Sequence, residues 1–308
     1  MRRPLLLILA LTLGLAACRT ASVPPVEAPV PVAPVPQAAP QLIADVSMLA
    51  SDAFEGRGAG TPGGYRAADF VERRFRESGL TGAFDGRFRQ TVALPQGGDG
   101  VNLAGRVEGT VFPQQVLLVT AHYDHLGVRA GQVYNGADDN ASGVAALFAL
   151  AEQFREVPPA HTVILAAFDA EEQGLVGAQA FADTPPVPLG AVLAVVNLDM
   201  VSRGPLWAAG TAHYPHLGRL LQGAGLDLRY GHDEGTGADN WTGASDHAVF
   251  HRQGVPFVYF GVEDHADYHA PTDDAARIDP VVFAHNVDTI TEAVRELDRR
   301  HADLVAGR

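Results

Sequence analysis

The distribution of apolar positions along the chain predicts alternating strands and helices. Short apolar and β-branched runs predict strands at residues 88–94, 102–107, 115–121, 162–168, 191–198 and 255–260. Several of these runs are separated by stretches with helical spacing, such as Ala141 to Phe154. Because strands that alternate with helices are typical of α/β proteins, we predict a mostly parallel mixed sheet with helices on both faces.

Two longer segments have the periodicity of amphipathic helices. Between Thr61 and Ser78, apolar residues at helical spacing lie among arginines and glutamates, and Gly79 follows as a stop signal. A second helix is predicted from Pro280 to His301, with an apolar stripe formed by Val282, Phe283, Val287, Ile290, Ala293 and Leu297. We expect this last helix to pack against the core and to carry no chemistry.

The N-terminal region differs in composition from the rest of the chain. Residues 1–17 contain two arginines and an apolar run too short for a comfortable membrane span, which predicts a signal peptide. The residues Leu15-Ala16-Ala17-Cys18 resemble a bacterial lipobox, so we expect a lipid on Cys18 instead of an ordinary cleavage site. The proline-rich stretch that follows predicts a semi-rigid tether, and we assign residues 18–41 to the anchor cysteine and linker.

Residues 42–308 are numerous enough for one large domain, and no second proline-rich break divides them. Since Cys18 is the only cysteine, an intramolecular disulfide is excluded. The formal charge is −14 and becomes −16 when Arg2 and Arg3 leave with the leader, which opposes binding to nucleic acid or anionic lipid headgroups. We expect a monomer exported to the bacterial cell envelope, facing the periplasm, that contacts the membrane only through its lipid.

Residues suited to metal chemistry occur in five short motifs: AHYDHLG, NGADDNASG, DAEEQG, NLDM and YHAPTDD. The six candidates are His122, Asp139, Glu171, Glu172, Asp199 and His269. His122 and Asp199 each follow a buried apolar run, so they would lie at the carboxyl ends of strands, where α/β sheets place ligands. A lone residue of this kind is more often a helix cap or a hydrogen-bonded side chain, but five motifs together indicate a two-metal hydrolase site.

These motifs, in this order, resemble the co-catalytic zinc metallopeptidase family that includes bacterial leucyl aminopeptidases, aminopeptidases S and Y, and glutamate carboxypeptidase. The resemblance runs from about Leu42 to Asp279. It includes LASDAFEGRGAGTPGG from Leu49 and SDHAVFHRQGVPFVYF from Ser245, so it does not depend on the metal motifs alone. It implies a zinc-exopeptidase fold, with residues 42–308 as the metallopeptidase domain.

The resemblance also implies two metal sites that share Asp139. Glu172 and His269 would complete one site, and His122 and Asp199 would complete the other. The mixed imidazole and carboxylate ligands suit two Zn²⁺ ions, and they would also accept Co²⁺ or Mn²⁺.

Three further residues are expected near the two metal sites. Glu171 would be the general base, because a carboxylate outside the ligand set can take a proton from the attacking water, and in extended chain it projects away from the next residue. Asp124 would accept the second N–H of His122. Sequence physics does not separate Asp138 from Asp139, so Asp138 is the alternative bridging ligand.

We therefore expect a metallo-aminopeptidase that hydrolyses N-terminal residues by metal-activated water with a glutamate general base. Alternatives are a carboxypeptidase of the same family, a single-zinc glutaminyl cyclase-like transferase, and a binding protein on a retired peptidase scaffold. A Ser-His-Asp hydrolase is disfavoured, because the contiguous Ser245, Asp246 and His247 do not readily form a linear relay. For Asp246, His247 and His265 we expect structural support or substrate contact and no ligation.

One departure from the family's pattern concerns the transition state. Some members have a tyrosine shortly before the serine of the SDH segment, whereas here that neighbourhood is NWTGA, from Asn240 to Ala244. The group that helps the metals to polarise the substrate carbonyl is therefore left open by the sequence.

Overall fold

The computed structural model describes residues 39–235 and 239–306. The predicted leader, Cys18 and most of the predicted linker lie outside these residues. Within them, the helices are α1 Ala39–Leu49, α2 Pro62–Glu77, α3 Gly143–Glu156, α4 Val176–Asp183, α5 Pro215–Gly223, α6 His247–Arg252, α7 Pro280–Arg299 and α8 His301–Ala306. The strands are β1 Thr81–Gly82, β2 Arg89–Ala93, β3 Asp99–Val107, β4 Phe112–His122, β5 Gly127–Arg129, β6 Gln132–Tyr134, β7 His161–Phe168, β8 Val192–Leu198, β9 Trp207–Ala209, β10 Arg229–Tyr230 and β11 Phe257–Gly261.

Nine of the described strands form one mixed sheet. Its order is β1-β3-β7-β4-β8-β11-β9-β10, and β2 pairs with β3 outside this path. The four central strands, β7, β4, β8 and β11, run parallel to one another. Antiparallel pairs lie towards both sides, where β3 joins β7 and β9 joins β11. The predicted α/β fold with a mostly parallel mixed sheet is confirmed.

The central strands are buried on both faces because successive side chains of a strand point in opposite directions. In β4, Leu117 and Val119 belong to one apolar cluster, together with residues of α1, α2, α3, α5 and α7. Val116 and Leu118 belong to a second cluster, together with residues of α4 and α6. The helices therefore flank the sheet on both faces, as the unbroken apolar runs predicted.

The two predicted amphipathic helices form, and their first turns explain where they begin. Thr61 accepts a hydrogen bond from the Gly64 amide at 3.2 Å and Pro62 is the first residue of α2. Asp279 accepts from the Val281 amide at 2.8 Å at the start of α7. The second predicted helix is interrupted at Arg300, where the backbone leaves helical geometry before α8.

The chain enters the fold slightly before the predicted domain boundary. Helix α1 begins at Ala39, within the segment assigned to the linker, and Leu42, Val46 and Leu49 are buried in the main core. Among the described helices, none combines the length and the apolar character needed to cross a bilayer.

Candidate metal centre

The parallel strands deliver the predicted metal-site residues to one edge of the sheet. His122 is the last residue of β4 and Asp199 directly follows β8. Glu171 and Glu172 lie in the turn after β7, and His269 lies in the loop after β11. Asp139 comes from the irregular segment that precedes α3. All six side chains line one cavity.

One group of donor atoms forms around His122. Its Nε2 lies 3.3 Å from Oδ1 of Asp199 and 3.4 Å from Oδ1 of Asp139. All three residues are buried. Their donor atoms lie within 4.8 Å of one another, close enough to bind one ion.

A second group forms on the other side of Asp139. Nε2 of His269 lies 3.1 Å from Oδ2 of Asp139 and 3.5 Å from Oε2 of Glu172. His125, which the sequence analysis did not assign, also belongs here, with Nδ1 2.9 Å from Oε1 of Glu172. The two oxygens of Asp139 thus face different groups, Oδ1 towards His122 and Oδ2 towards His269.

The imidazoles change the acidity of the carboxylates in the second group. Burial would raise the pKa of Glu172, but the neighbouring imidazoles of His125 and His269 lower it below its usual range. The pKa of Asp139 is lowered against burial by the same two histidines and by His122. In turn, Asp139 and Glu172 raise the pKa of His269 to about 10. These carboxylates are therefore held in the charged form that a cation requires.

Asp138, the alternative bridging residue, has a different role. Its Oδ1 accepts hydrogen bonds from the amide and hydroxyl of Ser202, at 2.8 and 2.7 Å, and from the hydroxyl of Ser142 at 3.1 Å. Its Oδ2 lies 3.1 Å from Nε2 of His265. The carboxylate of Asp138 is therefore engaged by hydrogen bonds and does not belong to either group of donors.

Glu171 lies beside the first group without belonging to it. Burial raises the pKa of Glu171 well above its usual range, and the carboxylates of Asp246 and Asp199 raise it further while His122 opposes them. The side chain lines the cavity. The position and the raised pKa are those of a proton acceptor that can later act as an acid.

Asp124 makes a different contact from the one predicted. Nδ1 of His122 lies 3.1 Å from the backbone oxygen of Asp124 but 3.7 Å from its nearest carboxylate oxygen. The carboxylate instead accepts hydrogen bonds from the amides of Glu171 and Glu172, at 3.0 and 3.3 Å. The orienting partner of His122 is thus the carbonyl of Asp124, because the carboxylate is used to fix the turn that carries both glutamates.

Arg57 is a second residue that the sequence analysis did not assign. Its guanidinium is fully buried and donates to the carbonyls of Tyr123, Leu49, Asn135 and Gly136, at 2.7, 2.9, 2.5 and 2.7 Å. Burial lowers the pKa of Arg57 to about 10, although nearby carboxylates oppose the shift. The motif EGRGAGTPGG, which contains Arg57, could have pointed to this residue. The sequence did not show which carbonyls the guanidinium would reach.

The SDH segment supports the cavity wall. Oγ of Ser245 accepts a hydrogen bond from Asn197 at 3.0 Å, whereas Nε2 of His247 lies 2.9 Å from the carbonyl of Trp241. Burial lowers the pKa of His247 to about 3, so its imidazole is neutral. Burial raises the pKa of Asp246 to about 8. Ser245 and His247 therefore face different partners, which argues against a serine relay.

The rest of the cavity is aromatic and apolar, with one further carboxylate. Besides the predicted metal-site residues, the described lining consists of Met200, Trp241, Ala244, Tyr259, Val262, Asp264 and Tyr268. Tyr259 and Tyr268 bring phenol groups to the cavity, although no tyrosine occurs at the position expected from the family's pattern. The stacked ring of Tyr268, 4.0 Å from that of His269, brings one of these phenols beside a predicted metal ligand.

Comparison with known proteins identifies the family of this sequence. The model of peptidase family M28 matches residues 102–294, more than half of the chain. Aminopeptidase YwaD from Bacillus subtilis is 29% identical over 192 residues, which cover 59% of this chain and 41% of that protein. A probable zinc metalloprotease from Pyrenophora tritici-repentis is 36% identical over 102 residues, 32% of this chain and 24% of its own length. The chain thus spans about a quarter of that relative.

Solved structures share the fold over most of the chain. A zinc aminopeptidase from Bacillus subtilis has a TM-score of 0.68 at 17% identity and covers 86% of this chain and 96% of its own. A glutaminyl cyclase from Porphyromonas gingivalis also has a TM-score of 0.68, at 19% identity, covering 84% and 98%. The zinc-exopeptidase type of fold predicted from the sequence is confirmed, and the fold alone is common to two chemistries.

Proposed function

Because this chain belongs to peptidase family M28, we propose that it is a zinc aminopeptidase that removes N-terminal residues from peptides. The observation that carries the proposal is the arrangement around Asp139. One of its oxygens lies 3.4 Å from Nε2 of His122 and the other 3.1 Å from Nε2 of His269. A buried carboxylate with an imidazole at each oxygen has the geometry of a bridge between two cations.

The residues present fit a pair of metal ions. Oε1 of Glu172 and both ring nitrogens of His125 are buried without a hydrogen-bond partner. Buried carboxylates are costly unless they are paired or coordinate a metal. Two divalent ions would supply that positive charge, and nitrogen and oxygen donors together suit zinc.

Each predicted ligand has a defined place in the proposal. His122 and Asp199 would hold one ion, Glu172 and His269 the other, and Asp139 both. When bound, two zinc ions would polarise the scissile carbonyl and make water a stronger nucleophile at neutral pH.

Glu171 would carry the proton in the reaction. Its carboxylate lines the cavity outside both donor groups, and Asp124 holds the amide of Glu171 at 3.0 Å. In this position the carboxylate would accept a proton from the attacking water and return it to the departing amine. The raised pKa of Glu171 supports the first step, because a carboxylate with a higher pKa is a stronger proton acceptor, and the proton that it takes up is then available for the departing amine.

The charge of the cavity favours an aminopeptidase over a carboxypeptidase. No arginine or lysine occurs among the described residues that line it, whereas Asp264 and Glu171 add carboxylates beyond the ligand set. A carboxypeptidase has to bind the terminal carboxylate of its substrate, for which a cation is the usual partner. A free N-terminal ammonium group would instead be attracted to this acidic cavity.

A panel of peptides and a metal assay test the proposal together. Purified protein is expected to contain two zinc ions, to hydrolyse aminoacyl substrates and carboxyl-blocked peptides, and to leave N-acetylated peptides intact. Exhaustive chelation should abolish turnover and zinc should restore it. Full activity after chelation would contradict the metal mechanism, and one bound zinc with cyclisation of N-terminal glutamine would favour a glutaminyl cyclase-like transferase.

Export to the cell envelope and a lipid on Cys18 are part of the proposal. They are supported by the sequence of residues 1–17 and by the lipobox-like residues that precede Cys18. Mass spectrometry of membrane-extracted protein should find a diacylglyceryl group on an N-terminal Cys18. Recovery of the mature protein with an unmodified cysteine would contradict the anchor.

A further inference from the structure

His125 is a buried histidine for which the predicted ligand set has no role. It follows His122 by three residues, directly after β4, and is 2% exposed. Both of its ring nitrogens lack a hydrogen-bond partner. Because buried polar groups in folded proteins are nearly always hydrogen-bonded, an unpartnered imidazole next to the metal centre requires an explanation.

The distances around His125 are those of a metal ligand. Its Nδ1 lies 2.9 Å from Oε1 of Glu172 and 3.6 Å from Oδ2 of Asp139. With zinc–ligand bonds of about 2.0–2.1 Å, neighbouring ligand atoms of one ion lie roughly 3 to 3.5 Å apart, within about 0.1 Å of both distances. The donor atoms of the three residues also lie within 4.8 Å of one another.

A hydrogen bond to Glu172 accounts less well for the same contact. Although Nδ1 and Oε1 are 2.9 Å apart, neither atom has a hydrogen-bond partner. The two atoms are therefore close without a hydrogen bond between them, which is the relation of two ligand atoms that face a common ion. Glu172 also presents different oxygens to its two histidines, Oε1 to His125 and Oε2 to His269.

The surroundings of His125 hold its ring at this point. A Cβ at Gly136 would lie 2.5 Å from Cγ and Cδ2 of the ring and 2.0 Å from the carbonyl oxygen of Asp139, so only glycine leaves the space. The side chain of His125 is 0% exposed, whereas that of His269 is 40% exposed. The second donor group thus contains one fixed imidazole and one that solvent reaches.

We propose that His125 is a ligand, through Nδ1, of the ion that Asp139, Glu172 and His269 bind. The inference rests on the proposed metal site and extends it. That ion then has four protein ligands, whereas the ion at His122 has three. A neutral imidazole adds no charge, so the charge balance of the centre is unchanged.

Two substitutions of His125 separate ligation from hydrogen bonding. The asparagine of His125→Asn keeps an N–H donor near the position of Nδ1 but is a poor zinc ligand. His125→Ala removes both the N–H donor and the ligand nitrogen. Zinc is measured per protein molecule across a series of metal buffers, and Co²⁺-loaded protein is compared by its visible absorption. Both variants should lose affinity for one ion by about 100-fold or more, above the loss typical for a residue that only orients a ligand.

The zinc affinities of the same two variants can also overturn the ligand assignment. Wild-type affinity for both ions in His125→Asn would show that a hydrogen bond suffices, and wild-type affinity in His125→Ala would show that the imidazole has no role. If wild type itself binds fewer than two ions, the proposed two-metal site fails. If wild type binds two ions and both variants do as well, only the role of His125 fails.

Two further measurements guard against a folding defect. His161→Asn removes another buried histidine, which begins β7 at the opposite end of that strand, and it should keep both ions at wild-type affinity. In zinc-loaded wild type, nitrogen-15 NMR of the histidine rings should find metal-shifted nitrogens from His122, His125 and His269. Shifts at only two of these three histidines, with His125 unaffected, would overturn the inference without any variant.

Discussion

Glu171 and Glu172 are adjacent in the chain, but their carboxylates have different surroundings. Imidazoles lower the pKa of Glu172, whereas burial and neighbouring carboxylates raise that of Glu171. From the sequence, we expect the two side chains to diverge because the chain would be extended there. They diverge within a turn instead, which the carboxylate of Asp124 holds through both of their amides.

Substitution Glu171→Gln tests whether Glu171 transfers protons while Glu172 binds zinc. Because Glu171 lies outside both donor groups, the variant should bind zinc like wild type but lose the proton acceptor. Its kcat should fall by about a hundred- to ten-thousand-fold, the usual contribution of general acid–base catalysis. Zinc content and peptide hydrolysis are measured on the same preparation. As a matched control, Glu172→Gln should lose zinc as well as turnover, and wild-type turnover in Glu171→Gln would remove Glu171 from the mechanism.

For single residues, the sequence predicted which residue types gather at the site. It did not predict which side chain or backbone group each of them contacts. The choice of Asp139 over Asp138 came from family resemblance alone, because two adjacent aspartates in one motif have equal chemistry. The structure separates them through contacts made far along the chain, such as that of Asp138 with Ser202. His125 was missed for the same reason, since its meeting with Glu172 depends on where the turn after β7 places that carboxylate.

Arg57 connects several of the segments that lie around the predicted metal ligands. Its guanidinium joins the end of α1 to the loop after β4 and to the segment that carries Asp139, through carbonyls of all three. Each of these carbonyls is a strong acceptor that loses a partner if the guanidinium is removed, although that of Gly136 also accepts from the Ala141 amide at 3.3 Å. Arg57 therefore holds together the segments that carry the predicted ligands, and its guanidinium also donates to the backbone oxygen of Asp139 at 3.4 Å.

Substitution Arg57→Met should be strongly destabilising, because methionine fills similar space but donates no hydrogen bond. Leaving several buried carbonyls unpaired costs about 1–3 kcal/mol for each group, so the free energy of unfolding should fall by at least about 3 kcal/mol. Denaturant unfolding measures this difference. Arg66→Met is the control, because Arg66 is exposed and its contacts with Ala53 and Glu55 lie at the surface. Equal stability of the two variants would contradict the role of Arg57.

Helix α7 shows the stripe that its sequence predicted. Ile290 is fully buried, whereas Val282, near the first turn, is only partly buried. Ile290→Ala should therefore lower the free energy of unfolding by about 2–5 kcal/mol through lost contacts and a cavity. Val282→Ala should cost about 1 kcal/mol or less, as expected for a position near the surface. Denaturation curves for the pair check the prediction, and a reversed order would contradict the packing of this helix.

Long elements were predictable because their apolar pattern repeats over several turns or fills a whole strand. The short strands β1, β9 and β10 were not predicted, because two or three residues carry too little pattern and pairing alone defines them. Helix α1 was not predicted, since Pro40 and the preceding prolines suggested a linker. Its apolar residues have helical spacing, but their burial depends on the partner helices α3 and α7.

At the scale of the whole molecule, the sheet gathers residues that are far apart in sequence. Strands β4, β7 and β8 end at the same edge, so His122, Glu172 and Asp199 meet although about 30 to 80 residues separate them. Alternating strands and helices were sufficient to predict this edge as the place of the site. The same pattern did not predict the course of the loop that carries His269 or of the segment that carries Asp139, because neither has a repeating pattern.

Anomalous diffraction from crystals of the zinc-loaded protein tests whether Asp139 bridges two metal ions. Two peaks are expected at the zinc edge, about 3.5–4 Å apart as in other two-metal sites, with one oxygen of Asp139 bound to each ion. A single peak, or two peaks of which only one contacts Asp139, would contradict this bridging role.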